Sequence, residues 1–498
     1  MTYKIQHIPL GNSLPINNPH SVSVSLPSLQ NVIDYEENKP ELLNQLNSGY
    51  PRFFKNKLVQ KLEEYVKNLH QIDDEKVLFP ITSPQAKTVI EYIFNEQFEC
   101  ITIENVCFLV LPKNHEKLIP VKKIIQNIGA IISSRNAEKI LFDKGIIHHL
   151  FQEERLEIEN PQSEIIQILS EAYSAKKENI FLTNSGTNAV FSAIETLTKI
   201  KKNEGKTLNV QLGWLYLDSI DIIKKRSDEN FLFVNIHQKE QFENWLAENH
   251  QKVANIISET VSNPILQCLD LPWLSSLCKK YEIGLILDHT MASPFCAEAL
   301  PYCDIAVESL TKFACGNANI LMGAIMVNEN SPYQDQIKSE IEKYTLKPYL
   351  LDCQRLAFEM QEYEVRMQKI SKNVSQVYDY LKTQDFVEKI YSVYEENSWQ
   401  NFQKIRKNNN HIGLITVIFK KPLAQCYDAL NFSKGPSLGT EFTLAMPYTY
   451  LAHYDLLQTE EGKKFLEEAG LDARIIRISV GIEPIEDIIN EFEKIKRL

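Results

Sequence analysis

The sequence lacks the features that mark several large classes of protein. None of its nine cysteines forms a CxxC pair, and the His and Cys spacings match no metal site, so nothing points to a zinc module or a dithiol redox centre. The cysteines are odd in number and set in apolar contexts, such as Cys107 in "ENVCFLVL" and Cys278 in "LSSLCKK". They read as buried free thiols in a reducing compartment, and the expected location is cytoplasmic. No apolar run approaches the roughly 18 residues that a membrane helix needs. The opening stretch "MTYKIQHIPLGNSLPINNPH" has no apolar segment of the kind a signal peptide carries. Positive charge is also short: 53 Lys+Arg stand against 65 Asp+Glu, a formal net charge of -12. That argues against nucleic acid or an anionic membrane as the main partner, and leaves room for a local basic pocket that takes a small anion. There is no internal repeat and no long low-complexity segment.

What is present suits a soluble multidomain protein. At about 150 residues per domain, 498 residues make roughly three units, and a chain of this length buries a core without disulfides. Residues 1–49 are rich in Asn, Pro and Ser and read as an extended arm with one alternating stretch, "SVSVSLPSL". Leu58, Leu62, Val66 and Leu69 recur at helical spacing, which closes a first unit at 1–75. Residues 76–165 read as short strands and helices with no chemical motif, an insertion of unknown role. From 166 to 334 short apolar strands alternate with helices, the pattern of a mostly parallel sheet covered on both faces. From 335 to 498 a long helical stretch leads into strands such as "HIGLITVIF" and "IIRISVGI", a separate α+β unit.

Ligands of open parallel sheets bind beyond the carboxyl ends of the strands, and three candidates fall there. "NSGTNA" (184–189) follows a strand and opens a helix. Gly186 permits close backbone approach, and the hydroxyl and amide side chains beside it suit a phosphate at a helix N-terminus, although Ser and Asn there also serve as plain caps. Asp288 ends the apolar run "IGLILD"; it is either a turn aspartate or the partner of a cation. Lys312 stands between hydroxyls in "ESLTKF", where a lysine is either a surface charge or a sheltered nucleophile. A phosphate cradle, a carboxylate and a lysine on one sheet together suit pyridoxal phosphate (PLP), whose ring nitrogen, phosphate and aldehyde need those three groups.

With these motifs in place the sequence resembles a known family, the PLP-dependent enzymes of cysteine and methionine metabolism, and within it the long, fungal-like cystathionine γ-synthase group. The resemblance rests on "GYPRF" (49–53), "NSGTNAV" (184–190), "SETVSNP" (258–264), "LDHT" (287–290), "ESLTK" (308–312), "SLGTEFTLAMPYTYLAHY" (437–454) and "IRISVGIEPIEDI" (476–488). It implies a fold-type-I, aspartate aminotransferase-like α/β architecture with a smaller α+β C-terminal domain. It also implies roles. Lys312 would carry the cofactor and shuttle protons; Asp288 would pair with the ring nitrogen, Tyr216 would stack on the ring, and Asn263 would lie near the ring hydroxyl. Gly186, Thr187, Ser309 and Thr311 would hold the phosphate, joined by Tyr50 and Arg52 from a neighbouring subunit of a homodimer or homotetramer. Arg477 would clamp the substrate α-carboxylate, its alternative being a buried structural salt bridge, and Ser437 would lie beside lysine and substrate. The implied reaction on small amino-acid substrates is γ-replacement, in which an O-acylhomoserine and cysteine give cystathionine. A γ-lyase, a sulfhydrylase or a catalytically retired regulatory protein are the alternatives. His289, where the family usually has Asn, and "CGNANILMG" (315–323), where it usually has Gly-Gly-His-Ser, depart from the pattern.

Overall fold

A computed structural model describes residues 4–51 and 54–498. Three sheets follow one another along the chain. The first is an antiparallel sheet of β1 (Lys76–Ile81), β2 (Cys100–Ile103) and β3 (Val106–Pro112), in the order β1-β3-β2. The central sheet has seven strands: β4 (Ile180–Thr183), β5 (Leu208–Leu212), β6 (Glu229–Phe233), β7 (Val253–Glu259), β8 (Gly284–Asp288), β9 (Ile305–Ser309) and β10 (Gly323–Val327). Their order is β4-β10-β9-β8-β7-β5-β6; β10 runs antiparallel to both neighbours and the other pairs are parallel. The third sheet holds β11 (Val387–Tyr391), β12 (Leu414–Phe419), β13 (Ser433–Lys434), β14 (Leu444–Pro447) and β15 (Ile476–Ser479), in the order β11-β12-β15-β14-β13.

The central strands are apolar along their whole length because both of their faces are covered. Ile286, Ile305, Val307 and Ile325 pack on the helix Gly186–Lys202. Their alternate neighbours Leu285, Leu287, Ala306 and Met326 pack with Ile165, Leu169, Leu271 and Leu274 on the opposite side. Register then brings the strand ends together. Glu259 pairs with Asp288, and Asp288 with Val307. Gly323 pairs with both Ser309 and Thr183, which draws the turn after β4 to the end of β9.

Residues 76–145 form a subdomain with the helix Lys57–Leu69, whose Val59, Leu62 and Val66 face Phe108, Val110 and Ile140. Leu69, expected on that apolar stripe, is exposed, and Leu58 is half-buried. The arm differs from the extended reading. It contains the helices Leu29–Glu36, started by a capping box of Ser28 and Asn31, and Pro40–Leu43, started by its proline. "SVSVSL" (21–26) is buried on both alternating faces. Its serines tolerate this because Ser23 donates to the Pro436 carbonyl (2.6 Å) and Ser25 to that of Ile8 (2.8 Å). Eight of the nine cysteines are buried and all are free. Among the described residues no helix is long and apolar enough to cross a membrane.

Candidate active site

One cavity opens where β7, β8, β9 and the turn after β4 meet, and a second adjoins it towards the C-terminal sheet. Lys312, Tyr50, Tyr216, Asn263 and Leu438 line both. Lys312 lies in the turn after β9, and its Nζ donates to Ser437 Oγ at 3.0 Å and to Tyr50 Oη at 3.4 Å. The backbone of that turn is clamped by Arg366, 2% exposed, whose Nη1 donates to the carbonyls of Phe313 and Ala314 (3.0 Å each) and whose Nε donates to Glu441 Oε1 (2.7 Å).

Asp288 closes β8 and accepts the Thr290 N–H at 2.9 Å. Burial raises its pKa, and Thr290 and Lys312 oppose that shift. A protonated ring nitrogen is the partner such a carboxylate lacks. Beside it Glu259 accepts the N–H of Tyr216 (2.6 Å) and of Asn263 (3.0 Å). Burial, then the charge of Asp288, pushes the Glu259 carboxyl well above its usual range. Glu259 thereby fixes two cavity walls at once. Tyr216 Oη donates to Asp218 Oδ2 (3.0 Å) and lies 3.3 Å from Tyr50 Oη.

At the turn after β4, a Cβ on Gly186 would lie 2.6 Å from both Cβ and Oγ of Ser309, so only glycine lets helix and strand end approach this closely. Ser185 and Asn188, read as donors to a ligand, are occupied otherwise. Ser185 Oγ caps the helix on the Asn188 N–H (3.1 Å), and the buried Asn188 Nδ2 donates to the carbonyls of Ile128 (2.9 Å) and Tyr344 (3.2 Å). Thr187, Ser309 and Thr311 line the cavity; the Thr311 hydroxyl also accepts the Met322 N–H at 3.2 Å. Ser219, another lining residue, has a buried hydroxyl with no partner, set at the start of the helix Leu217–Arg226.

Arg477 enters from β15 and is 3% exposed. Nη1 donates to Asn263 Oδ1 (3.0 Å), while Nη2 meets the Ser437 carbonyl and Met446 Sδ. All of these partners are neutral, and among the described residues no acid pairs with Arg477 and its buried Nε has no partner. Burial pulls its pKa down to about 10. A buried guanidinium of this kind is completed by a carboxylate. Ser437 joins the two cations, with its hydroxyl on Lys312 and its carbonyl on Arg477. It does so at φ +90°, a backbone conformation that costs a non-glycine residue and concentrates at functional sites.

Tyr50, implied to serve a neighbouring subunit, lines the cavity of its own chain. The residues just before it are anchored there: Leu46 and Ser48 are buried, and Ser48 Oγ donates to the Ser21 carbonyl at 2.5 Å. Arg52 lies outside the described residues. Of the departures, His289 is buried between Thr260 Oγ1 (3.0 Å) and the Ala297 carbonyl (3.1 Å), its pKa lowered to about 4 by burial. It is a neutral structural group.

Sequence reading missed Glu259, Arg366 and Ser219. Glu259 had a signal, being an acid at the end of an apolar strand like Asp288. Arg366 had none, since its role is to hold carbonyls.

Comparisons with known proteins agree with this geometry. The model of the family described as Cys/Met metabolism PLP-dependent enzyme matches residues 155–495. A Streptantibioticus cattleyicolor protein, L-2-amino-4-chloropent-4-enoate dechlorinase/desaturase, is 32% identical over 477 residues, 95% of each chain. A cystathionine γ-synthase of Neurospora crassa is 26% identical over 97% of each chain. The crystal structure of cystathionine γ-synthase from Xanthomonas oryzae pv. oryzae, in complex with aminoacrylate and cysteine, superposes with a TM-score of 0.59 at 19% identity, covering 68% of this chain and 86% of that one.

The residues present fit PLP. The lysine, the half-buried Asp288, the Gly186 close approach and the orphaned Ser219 hydroxyl surround one cavity. From strand ends to comparisons the observations agree: the chain belongs to the PLP-dependent enzymes of cysteine and methionine metabolism, with the fold-type-I architecture.

Proposed function

We propose that the protein removes a leaving group from the γ-carbon of an L-2-amino acid. The observation that carries this reading is the Lys312–Ser437–Arg477 arrangement, which sets a proton-transfer group beside a carboxylate clamp in one cavity. PLP would supply electron withdrawal from Cα, which acidifies the adjoining C–H bonds. Lys312, Asp288, Tyr216, Asn263, Gly186, Thr187, Ser309 and Thr311 are the groups that would hold it. Arg477 binds the α-carboxylate by its fork and fixes Cα relative to Lys312. Lys312 Nζ takes the Cα proton, hands it on within the site and, as a free amine again, takes the Cβ proton. The γ-substituent leaves with its bonding pair, so an elimination releases the net elements of HX.

Two completions follow. Addition of cysteine thiolate is γ-replacement, the cystathionine γ-synthase reaction; loss of HX with nothing added is γ-elimination. The named substrate of the Streptantibioticus relative carries chlorine on carbon 4, the γ-carbon, and cystathionine γ-synthases are among the similar proteins. Both therefore support chemistry at that carbon.

The test supplies purified enzyme with O-acetyl-homoserine, O-succinyl-homoserine or 2-amino-4-chlorobutanoate, with and without cysteine, beside a Lys312→Ala control. Release of acetate, succinate or chloride that is lost in the control supports the reading. No release from any of the three overturns it.

A further inference from the structure

Lys312 stands at one end of a chain of side-chain hydrogen bonds that leaves the cavity and enters the 76–145 subdomain. Its Nζ donates to Tyr50 Oη (3.4 Å) and lies 4.9 Å from the centre of that ring. Tyr50 Oη is 3.3 Å from Tyr216 Oη. Tyr216 Oη donates to Asp218 Oδ2 (3.0 Å), and Gln126 Nε2, from the helix Leu118–Asn127, donates to Asp218 Oδ1 (3.2 Å). Asp218 is 3% exposed.

The chain has a direction. A carboxylate only accepts, so Tyr216 turns its O–H to Asp218. The Tyr216 oxygen then meets Tyr50 with a lone pair, the Tyr50 O–H points to Tyr216, and a lone pair of Tyr50 faces Lys312. The lysine nitrogen is thus met by two accepting oxygens, Tyr50 Oη and Ser437 Oγ. Acceptors around an amine favour its protonated form. The other titratable groups that share its cavities are Glu259 on β7, Asp288 on β8, Tyr448 just after β14 and Arg477 on β15. A substitution at Asp218 leaves all four in place.

We propose that Asp218 is a positioning residue for the proton-transfer lysine. Oriented by Gln126, it fixes the direction of the Tyr216–Tyr50 pair, and through that pair it steadies the proton that Lys312 takes from the substrate until the proton is handed on. Lys312 gains the proton at Nζ; the two phenols and the carboxylate keep their protonation states and only orient. The proposal rests on the reading of Lys312 above, and it gives the 76–145 subdomain a part in the reaction.

The test is capture of PLP by the full-length apoenzyme, which requires the neutral amine of Lys312. The rate is followed by the cofactor's absorbance as a function of pH. Asp218→Asn keeps the size of the side chain. Gln126 still donates to its oxygen, so its Nδ2 takes the place of Oδ2 and donates to Tyr216, and both phenols reverse. The midpoint of the profile is expected to fall by about one pH unit, a roughly tenfold faster capture on its acid side. In a Tyr216→Phe background, which keeps the ring but cuts the chain, the same substitution is expected to change nothing. An unmoved midpoint in Asp218→Asn overturns the proposal. So does an equal shift in both backgrounds, because the carboxylate would then act as a charge through space. Tyr50→Phe guards against a folding defect at Asp218: it removes the oxygen that faces the lysine, so its midpoint must also fall, and an unmoved one overturns the proposal equally. The profile reads cofactor capture and not turnover. Failure of the γ-carbon reading therefore shows separately, as absent leaving-group release beside an unchanged set of midpoints.

Discussion

Arg477 makes contacts that only a guanidinium can make from that position on β15. It reaches Asn263 and the Ser437 carbonyl together and keeps Nε for a ligand. Arg477→Lys cannot form the fork, and a charge-assisted hydrogen bond contributes about 1.5–3 kcal/mol. Steady-state kinetics should therefore show KM raised on the order of 10–100-fold, with kcat much less affected; a kcat loss at unchanged KM would mean that Arg477 does not hold the substrate. Glu308 is a different kind of residue. It lies on β9 next to Ser309, points away from the cavity and accepts the phenols of Tyr173 (2.6 Å) and Tyr363 (2.7 Å). Burial lifts its pKa from 4.5 to about 7, and Asp288 adds to the shift against the two phenols. The folded state holds this proton more tightly than the unfolded chain, so the stabilisation is complete below pH 4.5 and is lost as pH rises through 7. Its size is roughly 3 kcal/mol. Urea unfolding at pH 4.5 and at pH 7.5 should show Glu308→Gln losing less stability across that interval than the native protein. An equal loss would mean that Glu308 does not titrate there.

At the scale of elements, the strands that build the site were legible because each is an apolar run ending in a polar residue, and Asp288, Ser309 and Lys312 stand where such runs stop. Glu259 was equally visible by that rule. The contribution of residues 76–145 was not, because it is made with backbone. The Gly129 carbonyl accepts from Asn184 Nδ2 (2.7 Å) and the Ile128 carbonyl from Asn188 Nδ2 (2.9 Å). A carbonyl is offered by every residue type, so no spacing of side chains announces it. The insertion thus buttresses the turn that begins the helix Gly186–Lys202. Gly129 makes the closest approach: at φ +66°, its Cβ would stand 2.2 Å from Ser185 Oγ and 2.8 Å from the Asn188 nitrogen. Gly129→Ala must push that turn away from Ser309. PLP affinity, titrated by absorbance on the apoenzyme, is expected to fall at least tenfold while far-ultraviolet circular dichroism stays native. Unchanged affinity would show that the buttress does not set the position of the turn.

For the molecule as a whole, the arm is a strap that ties distant parts of the chain. It leaves the Lys57–Leu69 helix, passes the cavity at Tyr50 and runs over the C-terminal sheet, where Leu26 N–H donates to the Lys434 carbonyl (2.8 Å) and Tyr427 Oη donates to the Leu26 carbonyl (2.9 Å). The alternating serines read as an extended segment because the sequence cannot show what lies opposite them; the partner of Ser23, Pro436, is 413 residues away. Lys434 fastens the strap. It is 2% exposed, and its Nζ donates to the carbonyls of Pro27 (2.8 Å) and Asp428 (3.1 Å). Burial lowers its pKa from 10.5 to about 8. Below pH 8 both folded and unfolded chains carry the proton, and the folded state bears the full cost of burying it. Between pH 8 and 10.5 the unfolded chain binds a proton that the folded chain has released, so stability rises with pH across that window. Lys434→Met removes both donors and the titration. At pH 7.5 the carbonyls left without partners, costing about 1–3 kcal/mol, are set against the buried charge that the variant no longer carries. Urea unfolding should then show the stability of the native protein relative to the variant rising between pH 8 and 10.5, as only the native protein gains from losing the buried charge. A gap that stays constant with pH would mean that Lys434 keeps an ordinary lysine pKa in the folded state, and that the strap is held by its hydrogen bonds and apolar contacts alone.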